Sequence, residues 1–192
     1  MRKSLFITIL FLATVVSSLY AQGTASKSGS MSLMSRPADF PTPPKSSNSL
    51  FFIQRNKNKH TIVYDANFKN GKFDPSKPID NYWLRYYSTG TLRKELTWAQ
   101  NNFAYGYNSK KDGTGKGYYI TLTAYDKRKI HLNTDTNGAP IATMTINGKP
   151  CRLNYIWVFA DDSGTWPEVY HVDLHGTELA SGKKQTERIN NK

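Results

Sequence analysis

The sequence predicts a mainly β fold: a single antiparallel curved sheet, sandwich or small barrel of seven to nine strands, with one helix near residues 91–104. Three observations predict it. Short runs alternate apolar and polar residues, as strands with one buried face do. Asn-Gly pairs, the strongest short-range hairpin signal, separate some of these runs. The 192 residues include four Trp, twelve Tyr and nine Phe but one Cys, so a packed core without an intrachain disulfide must hold the domain together.

Residues 1–21 have the pattern of a signal peptide. Arg2 and Lys3 precede an uncharged, mainly apolar stretch at residues 5–20, and the small residues Ala21 and Gly23 follow. The stretch is shorter than the roughly 20 residues that a membrane-spanning helix needs. We expect cleavage after Ala21 or Gly23, no transmembrane span afterwards, and an exported protein that is periplasmic, extracellular or at the cell surface. An uncleaved anchor is the alternative.

The segments that flank the expected domain are polar. Residues 22–48 are rich in Ser and contain four Pro, which predicts a disordered tether. Residues 181–192 lack apolar periodicity and predict a polar, basic tail. The β-rich domain is therefore expected at residues 49–180.

The candidate strands follow one another closely between turn sequences. Asn137-Gly138 and Asn147-Gly148 bracket one of them, which predicts two successive hairpins. In the strand after Gly148, Cys151, Leu153, Tyr155, Trp157 and Phe159 alternate and are expected to point inward together. In chain order, the candidate strands lie at residues 50–54, 61–66, 82–87, 118–125, 129–133, 141–146, 151–159 and 168–175.

One segment has helical rather than alternating spacing. Leu92, Leu96, Ala99 and Phe103 recur at intervals of three and four residues. An N-cap at Thr91 and a stop at Gly106 complete the pattern, which predicts a helix packed on the sheet.

Several stretches together resemble a known family. The stretches are Phe51-Phe-Ile-Gln-Arg-Asn-Lys-Asn58, Thr61-Ile-Val-Tyr-Asp-Ala-Asn67, Asn81-Tyr-Trp-Leu-Arg-Tyr86, Arg93-Lys-Glu-Leu96, Phe103-Ala-Tyr-Gly106, Ala124-Tyr-Asp-Lys-Arg-Lys129 and Thr145-Ile-Asn-Gly-Lys149. They resemble domain-of-unknown-function family 4833, which occurs in secreted proteins of Bacteroidetes, and the resemblance covers about residues 50–183. It implies export in a diderm bacterium and no particular activity.

Two patterns offer an enzymatic alternative. His171, Asp173 and His175 alternate along one strand, so their side chains share a face and resemble a divalent-metal site completed by His131 or Asp161. The competing interpretation of these three residues is an ordinary polar strand face. Cys151 is the other candidate, as a nucleophile, although its place in an inward-facing strand favours a buried, inert thiol.

The excess of basic residues gives the leading functional prediction. There are 26 Lys and Arg against 14 Asp and Glu, and the cations gather in connecting segments. Such a field attracts polyanions. Export argues against nucleic acid, so we expect a non-catalytic module without a cofactor that binds anionic lipid, lipopolysaccharide or polysaccharide. Oligomeric state is left open, and solubility alone is the competing explanation of the charge. The candidate ligand-binding residues are Tyr82, Trp83, Tyr87, Trp157, Lys127, Arg128 and Lys129.

Overall fold

The computed structural model describes residues 35–161, 163 and 167–191. The predicted signal peptide and residues 22–34 of the predicted tether lie outside the described residues. Within this part of the chain, no helix is both long and apolar enough to span a bilayer. The strands are β1 Ser49–Arg55, β2 Asn58–Ala66, β3 Phe68–Lys69, β4 Lys72–Phe73, β5 Ile79–Tyr87, β6 Gly90–Glu95, β7 Tyr107–Lys111, β8 Tyr118–Leu122, β9 Tyr125–Thr134, β10 Pro140–Ile146, β11 Lys149–Asp161, β12 Glu168–Glu178 and β13 Lys184–Asn190.

Eleven of these strands form one curled sheet that makes a half-barrel, and β3 and β4 form a separate hairpin. The long strand β11 is the branch point. One of its edges pairs with β10 and then with β1, and the other edge pairs with β12 along its length. Two arms therefore diverge from β11: β1-β2-β5-β6 and β10-β9-β8-β7.

The mainly β, curved architecture predicted from the sequence is confirmed. The sheet has more strands than the seven to nine expected, because edge strands such as β6 are exposed at every residue and lack the alternation that marks a buried face. The sheet is also mixed rather than purely antiparallel, since β1 pairs with β11 in parallel.

The core fills the space enclosed by the two arms, and we call this side of the sheet the inner face. Ile62 and Tyr64 of one arm and Ile120 and Leu132 of the other belong to one cluster of buried residues. The Tyr64 hydroxyl donates a 2.7 Å hydrogen bond to the carbonyl of Tyr105, beside the start of β7. The curled sheet is thus closed around its own apolar side.

Two predicted hairpins flank β10, as expected, but their turns differ. Asn147 and Gly148 both have positive φ, 50° and 74°, which gives the predicted two-residue turn between β10 and β11. In the loop between β9 and β10 only Gly138 has positive φ, because Asp135 folds the loop through its side chain onto Asn137 and Ala139.

The predicted helix is present but starts later than expected. Residues 90–95 form β6, which pairs with β5, and a single helical turn α1 occupies Trp98–Gln100. It runs into a π-helical turn at Asn101–Tyr105. Thr97 rather than Thr91 is the N-cap. The prediction was wrong about the start because residues 90–95 pair with β5 as a strand, and Leu92 is exposed there rather than packed on the sheet.

The side-chain pattern predicted for β11 is correct only in its first half. Cys151 and Leu153 face the core, but the pairing with β12 shifts by one residue between Leu153 and Tyr155. Such a bulge moves the following residues to the other face. Tyr155, Trp157 and Phe159 therefore lie on the side opposite the core, which we call the outer face.

Both flanking segments add structure to the domain. Lys184–Asn190 forms β13 along β12, within the stretch expected to be a tail. Residues 36–43, within the stretch expected to be a tether, lie on the outer face, where Phe40 packs against Trp157 with ring centroids 5.6 Å apart. Neither segment has the alternation of apolar and polar residues from which packing against the sheet could have been predicted.

Candidate functional site

A row of polar and basic side chains crosses the outer face of seven neighbouring strands. Side chains directly opposite each other on antiparallel strands lie on the same face. The neighbouring residues Ile120, Leu132 and Leu153 point into the core. From β7 to β13 the members of this basic row, each paired with the next, are Lys110, Tyr119, His131, Thr143, Arg152, Thr177 and Lys184.

The three Lys and Arg side chains of the basic row, Lys110, Arg152 and Lys184, are exposed and have no ion-pair partner among the described residues. The carboxylates of Asp112 and Glu178 nevertheless lie close to the row. Lys129, beside the row on β9, lies over the Tyr119 ring with its Nζ 5.7 Å from the centroid. Six inter-strand steps place Lys110 and Lys184 roughly 29 Å apart along the sheet, and Arg152 lies between them, about 19 Å from Lys110 and about 10 Å from Lys184.

Two shallow depressions open beside the row and meet at the exposed side chain of Leu179. One has a volume of about 230 Å³ and is lined by Lys129, His131 and Thr143 among others. The other, of about 490 Å³, is lined by Lys45, Arg152 and Thr177 among others. Both are open to solvent, so they suit a ligand that lies along the surface better than an enclosed small molecule.

Both ring nitrogens of His131, at the centre of the row, have hydrogen-bond partners. Nε2 lies 2.9 Å from Oδ2 of Asp112, and Nδ1 lies 3.3 Å from Nδ2 of Asn133. The hydrogen bond from His131, with further bonds from Thr114, holds the pKa of the Asp112 carboxyl far below its usual range. The contact between His131 and Asp112 therefore positions the 112–117 loop against β9.

The three predicted metal ligands do share one face of β12, but their side chains have other partners. Asp173 accepts two hydrogen bonds from the Arg188 guanidinium, both at 2.7 Å. His171 stacks on Phe159, and His175 stacks on Tyr155 with ring centroids 4.1 Å apart. Across residues 35–161, 163 and 167–191, no three His, Cys, Asp or Glu side chains are arranged to hold a metal ion.

The two further ligands suggested for that metal site lie elsewhere. His131 is on the other arm of the sheet, bonded to Asp112. The Asp161 carboxylate accepts a hydrogen bond from the backbone N–H of Ser163 and is near the Tyr170 hydroxyl. The geometry therefore gives the metal hypothesis no support.

Cys151 lies fully buried in the core beneath β12. Burial, followed by the charge of Glu178, raises the pKa of its thiol, so the neutral form is favoured. Gly176 on the paired strand β12 lies close beside it, since a Cβ atom at Gly176 would stand 3.0 Å from Cβ of Cys151. A thiol in this position packs as a small apolar group.

The structure disperses the ligand-binding residues predicted from the sequence. Trp83 belongs to the core, where its ring contacts Tyr105. Trp157 is fully buried on the outer face, Tyr82 lies half-buried on β5 with its hydroxyl donating to Asp65, and Tyr87 is exposed at the end of β5.

The three basic candidates are consecutive on β9 and have separate surroundings. Lys127 is exposed. The Arg128 guanidinium donates to Glu187 and to the Thr145 carbonyl. Only Lys129 lines the depression beside the basic row.

Arg152 and Lys184 are members of the row that sequence reasoning missed. Arg152 lies in a strand that was predicted from its alternate apolar residues, so its own side chain was not considered. Lys184 lies in the segment that was expected to be a polar tail. Alternation in β10 and β11 was the available signal for Arg152, because the residue between Cys151 and Leu153 must face outward.

The family model described as Domain of unknown function (DUF4833) matches residues 51–188. This span includes every strand of the sheet at least in part and all members of the basic row. No curated protein and no solved structure matches the chain significantly. The chain belongs to the DUF4833 family.

Proposed function

We propose that this DUF4833 protein is an exported, non-catalytic module that binds an acidic polysaccharide of the cell envelope along the basic row. The observation that carries the proposal is the unpaired charge: cations on three separate strands, Lys110, Arg152 and Lys184, lie on one face without carboxylate partners among the described residues. A chain of regularly spaced anions engages such a row, whereas a single small anion does not.

The chemistry between the cations favours a sugar polymer over a bilayer surface. Tyr119, Thr143 and Thr177 alternate with the basic residues and present hydroxyl groups. Few large apolar side chains are exposed here, chiefly Leu179 and Tyr119. A membrane-bound face generally offers more apolar surface for insertion between headgroups.

The first experiment neutralises the row while preserving the fold. The test variant is Lys110→Gln/Arg152→Gln/Lys184→Gln, and the control is Lys69→Gln/Lys72→Gln/Lys94→Gln, which removes three exposed charges elsewhere. Dextran sulfate is the probe and neutral dextran is the matched control ligand. If each cation contributes about 1 kcal/mol, as basic residues do near an anionic membrane surface, the test variant binds on the order of 100-fold more weakly.

The control variant should bind within about threefold of the wild type, and wild-type affinity should fall as salt rises, since exposed charges are screened. Equal losses in both triple variants would show that net charge alone, and not the row, attracts the polymer. Vesicles containing phosphatidylglycerol form a second arm. Tight binding to vesicles with none to dextran sulfate would contradict the choice of a polysaccharide.

A further inference from the structure

The outer face of the other arm carries a second surface, which the chain itself covers. Cross-strand partners on β1, β11 and β12 place three rings in one stack: Phe52 on Tyr155, 5.2 Å between centroids and 10° from parallel, and Tyr155 on His175, 4.1 Å and 12°. Trp157 and Gln54 occupy the next positions on β11 and β1. We call these five residues the aromatic groove.

Residues 36–43, which we call the strap, lie over the aromatic groove. The Arg36 guanidinium lies over the rings of Phe52 and Tyr155, 5.8 and 5.5 Å from their centroids. Its Nε donates to Oε1 of Gln54 at 2.5 Å. Phe40 packs edge-on against Trp157. The strap thus contributes one cation and one ring to the groove.

Gln54 recognises the main chain of the strap. Its side chain is fully buried, and Nε2 donates to the carbonyl of Pro41 at 2.9 Å and to the Thr61 hydroxyl at 2.6 Å. The strap sequence contains Pro37, Pro41 and Pro43, which limit its backbone to extended and turn conformations. A buried donor aimed at a proline carbonyl between aromatic rings is the chemistry by which grooves bind proline-rich peptides.

With the strap in place, some buried polar atoms of the groove still lack hydrogen-bond partners among the described residues. Trp157 has no exposed surface, yet its Nε1 has no hydrogen-bond partner in this part of the chain, and Nε2 of His175 is likewise buried without a partner there. Within the same part of the chain, the hydrogen bonds of the Arg36 guanidinium go to neutral groups: Gln54, two carbonyls of the strap and the Thr42 hydroxyl. Buried polar atoms without partners cost free energy. The resident segment is therefore not the best ligand that this surface can hold.

The strap is also attached weakly. In the part of the chain that the structure describes, no hydrogen bond between backbone groups joins residues 36–43 to a strand, and the only such bond within the strap runs from the Phe40 N–H to the Pro37 carbonyl. Its ion pair, Asp39 with Lys59, is well exposed at both ends and contributes little. Side-chain contacts to Gln54, Trp157 and the ring stack therefore carry most of the attachment.

We propose that the aromatic groove is a docking site for an extended, proline-containing peptide, and that the strap is a displaceable internal occupant. The partner supplies an aromatic residue followed by proline, as Phe40-Pro41 does, and a hydrogen-bond acceptor for Trp157. Because the strap is joined to β1 through residues 44–48, it competes at a high effective concentration. The groove is closed in the isolated chain and opens when a better peptide displaces the strap.

The test weakens the attachment of the strap in the full chain and adds a separate peptide that has the strap's sequence. The probe is a fluorescein-labelled peptide of residues 35–45, and its anisotropy reports binding. Arg36→Ala/Phe40→Ala removes both side chains that hold the strap, so this variant should bind the peptide at least tenfold more tightly than the wild type. A peptide with Phe40→Ala should bind neither protein. The control variant Lys69→Ala/Lys72→Ala changes two exposed residues on the separate β3–β4 hairpin, leaves every contact of the strap in place and should behave as the wild type.

A second measurement covers the case in which loosening the strap unfolds the domain. A protease site inserted between Lys45 and Ser46 lets the strap be cut after the protein has folded. On dilution the cut strap should dissociate, and excess labelled peptide should replace it. A strap that is released without the peptide being taken up, in either format, would overturn the proposal. Dimers formed by exchange of straps between copies would support it, because the groove would then hold the segment in trans.

Discussion

At the scale of single residues, Gly176 controls how closely β12 can lie on the core. A Cβ atom at this position would stand 2.6 Å from Cδ1 of Ile146, 2.8 Å from the Arg152 carbonyl oxygen and 3.0 Å from Cβ of Cys151. Two of these neighbours are backbone or nearly so and have little freedom to move. Glycine is therefore required here by close approach rather than by backbone conformation.

We expect Gly176→Ala to lower the free energy of unfolding by about 1–3 kcal/mol, the usual cost of overpacking. Ile146→Val removes the closest atom at a cost of about 0.5–1.5 kcal/mol on its own. The loss of unfolding free energy in the double variant should then be smaller than the sum of the losses in the two single variants, since the two side chains compete for the same space. Urea denaturation of the four proteins measures this coupling, and strict additivity would show that the Ile146 methyl is not what resists the alanine.

Asp112 supplies a prediction about acid stability. The pKa of its carboxyl is depressed in the folded protein, chiefly by the hydrogen bond from His131 and then by that from Thr114. A depressed carboxyl pKa stabilises the fold above the unfolded value, about 4, and this stabilisation is lost as pH falls toward the folded value. The wild type should therefore exceed Asp112→Asn in stability at neutral pH, and the difference should shrink below about pH 4.

Denaturation midpoints of both proteins between pH 7 and pH 2 test this. A difference that stays constant over the whole range would mean that Asp112 acts through its shape and not through its charge. Thr114→Val is a useful companion, because it removes a weaker bond to the same carboxylate.

At the scale of elements, sequence alternation located the central strands and failed at their irregularities. The strands around Asn147-Gly148 could be predicted because the turn chemistry and the alternating pattern agree. The outward orientation of Tyr155, Trp157 and Phe159 could not be predicted. It results from a bulge between Leu153 and Tyr155, which adds one residue and leaves no signal in the local composition. In the first half of β11 the odd-numbered residues face the core, and in the second half they face outward. Only the pairing with β12 shows where this change occurs.

Net charge predicted a cationic surface but not its position on the fold, and of the expected basic residues only Lys129 lies beside the basic row. The members of the row come from seven strands, and their alignment depends on pairing register, which the sequence does not encode locally. The spacing of His171, Asp173 and His175 correctly indicated a shared strand face, but it could not indicate that the Arg188 guanidinium binds the Asp173 carboxylate.

Strand β13 depends on polar contacts more than on burial. Glu187 accepts hydrogen bonds from the Arg128 guanidinium on β9 at 2.6 Å and from the Asn147 N–H at 2.8 Å, which ties β13 to the other arm. We expect Glu187→Gln to cost about 1–2 kcal/mol of unfolding free energy, because it removes a partly buried ion pair and a charge-assisted hydrogen bond.

Glu95→Gln is the matched control for this substitution. Glu95 pairs with Arg93 on an exposed edge strand, so its loss should change stability by no more than about 0.5 kcal/mol. Chemical denaturation with both variants decides the matter. Equal, small effects would show that β13 is held by its backbone pairing with β12 alone.

At the scale of the whole molecule, the two outer surfaces have different chemistry. Strands β7 to β13 present the basic row, whereas β1, the second half of β11 and β12 present the aromatic rings under the strap. Both surfaces meet on β11, where the bulge separates Arg152 of the row from Trp157 of the aromatic groove. A ligand on either surface therefore contacts the same strand through different side chains, which keeps the two proposals independently testable.

The most direct test of the basic row is to map where a polyanion contacts the folded protein. Backbone amide chemical shifts of isotope-labelled protein, titrated with a short dextran sulfate, report every strand at once. We predict shifts centred on Lys110, His131, Arg152, Thr177 and Lys184, with β2 and β5 unaffected. Shifts spread evenly over all exposed lysines, or confined to the arm that carries β2 and β5, would contradict the account.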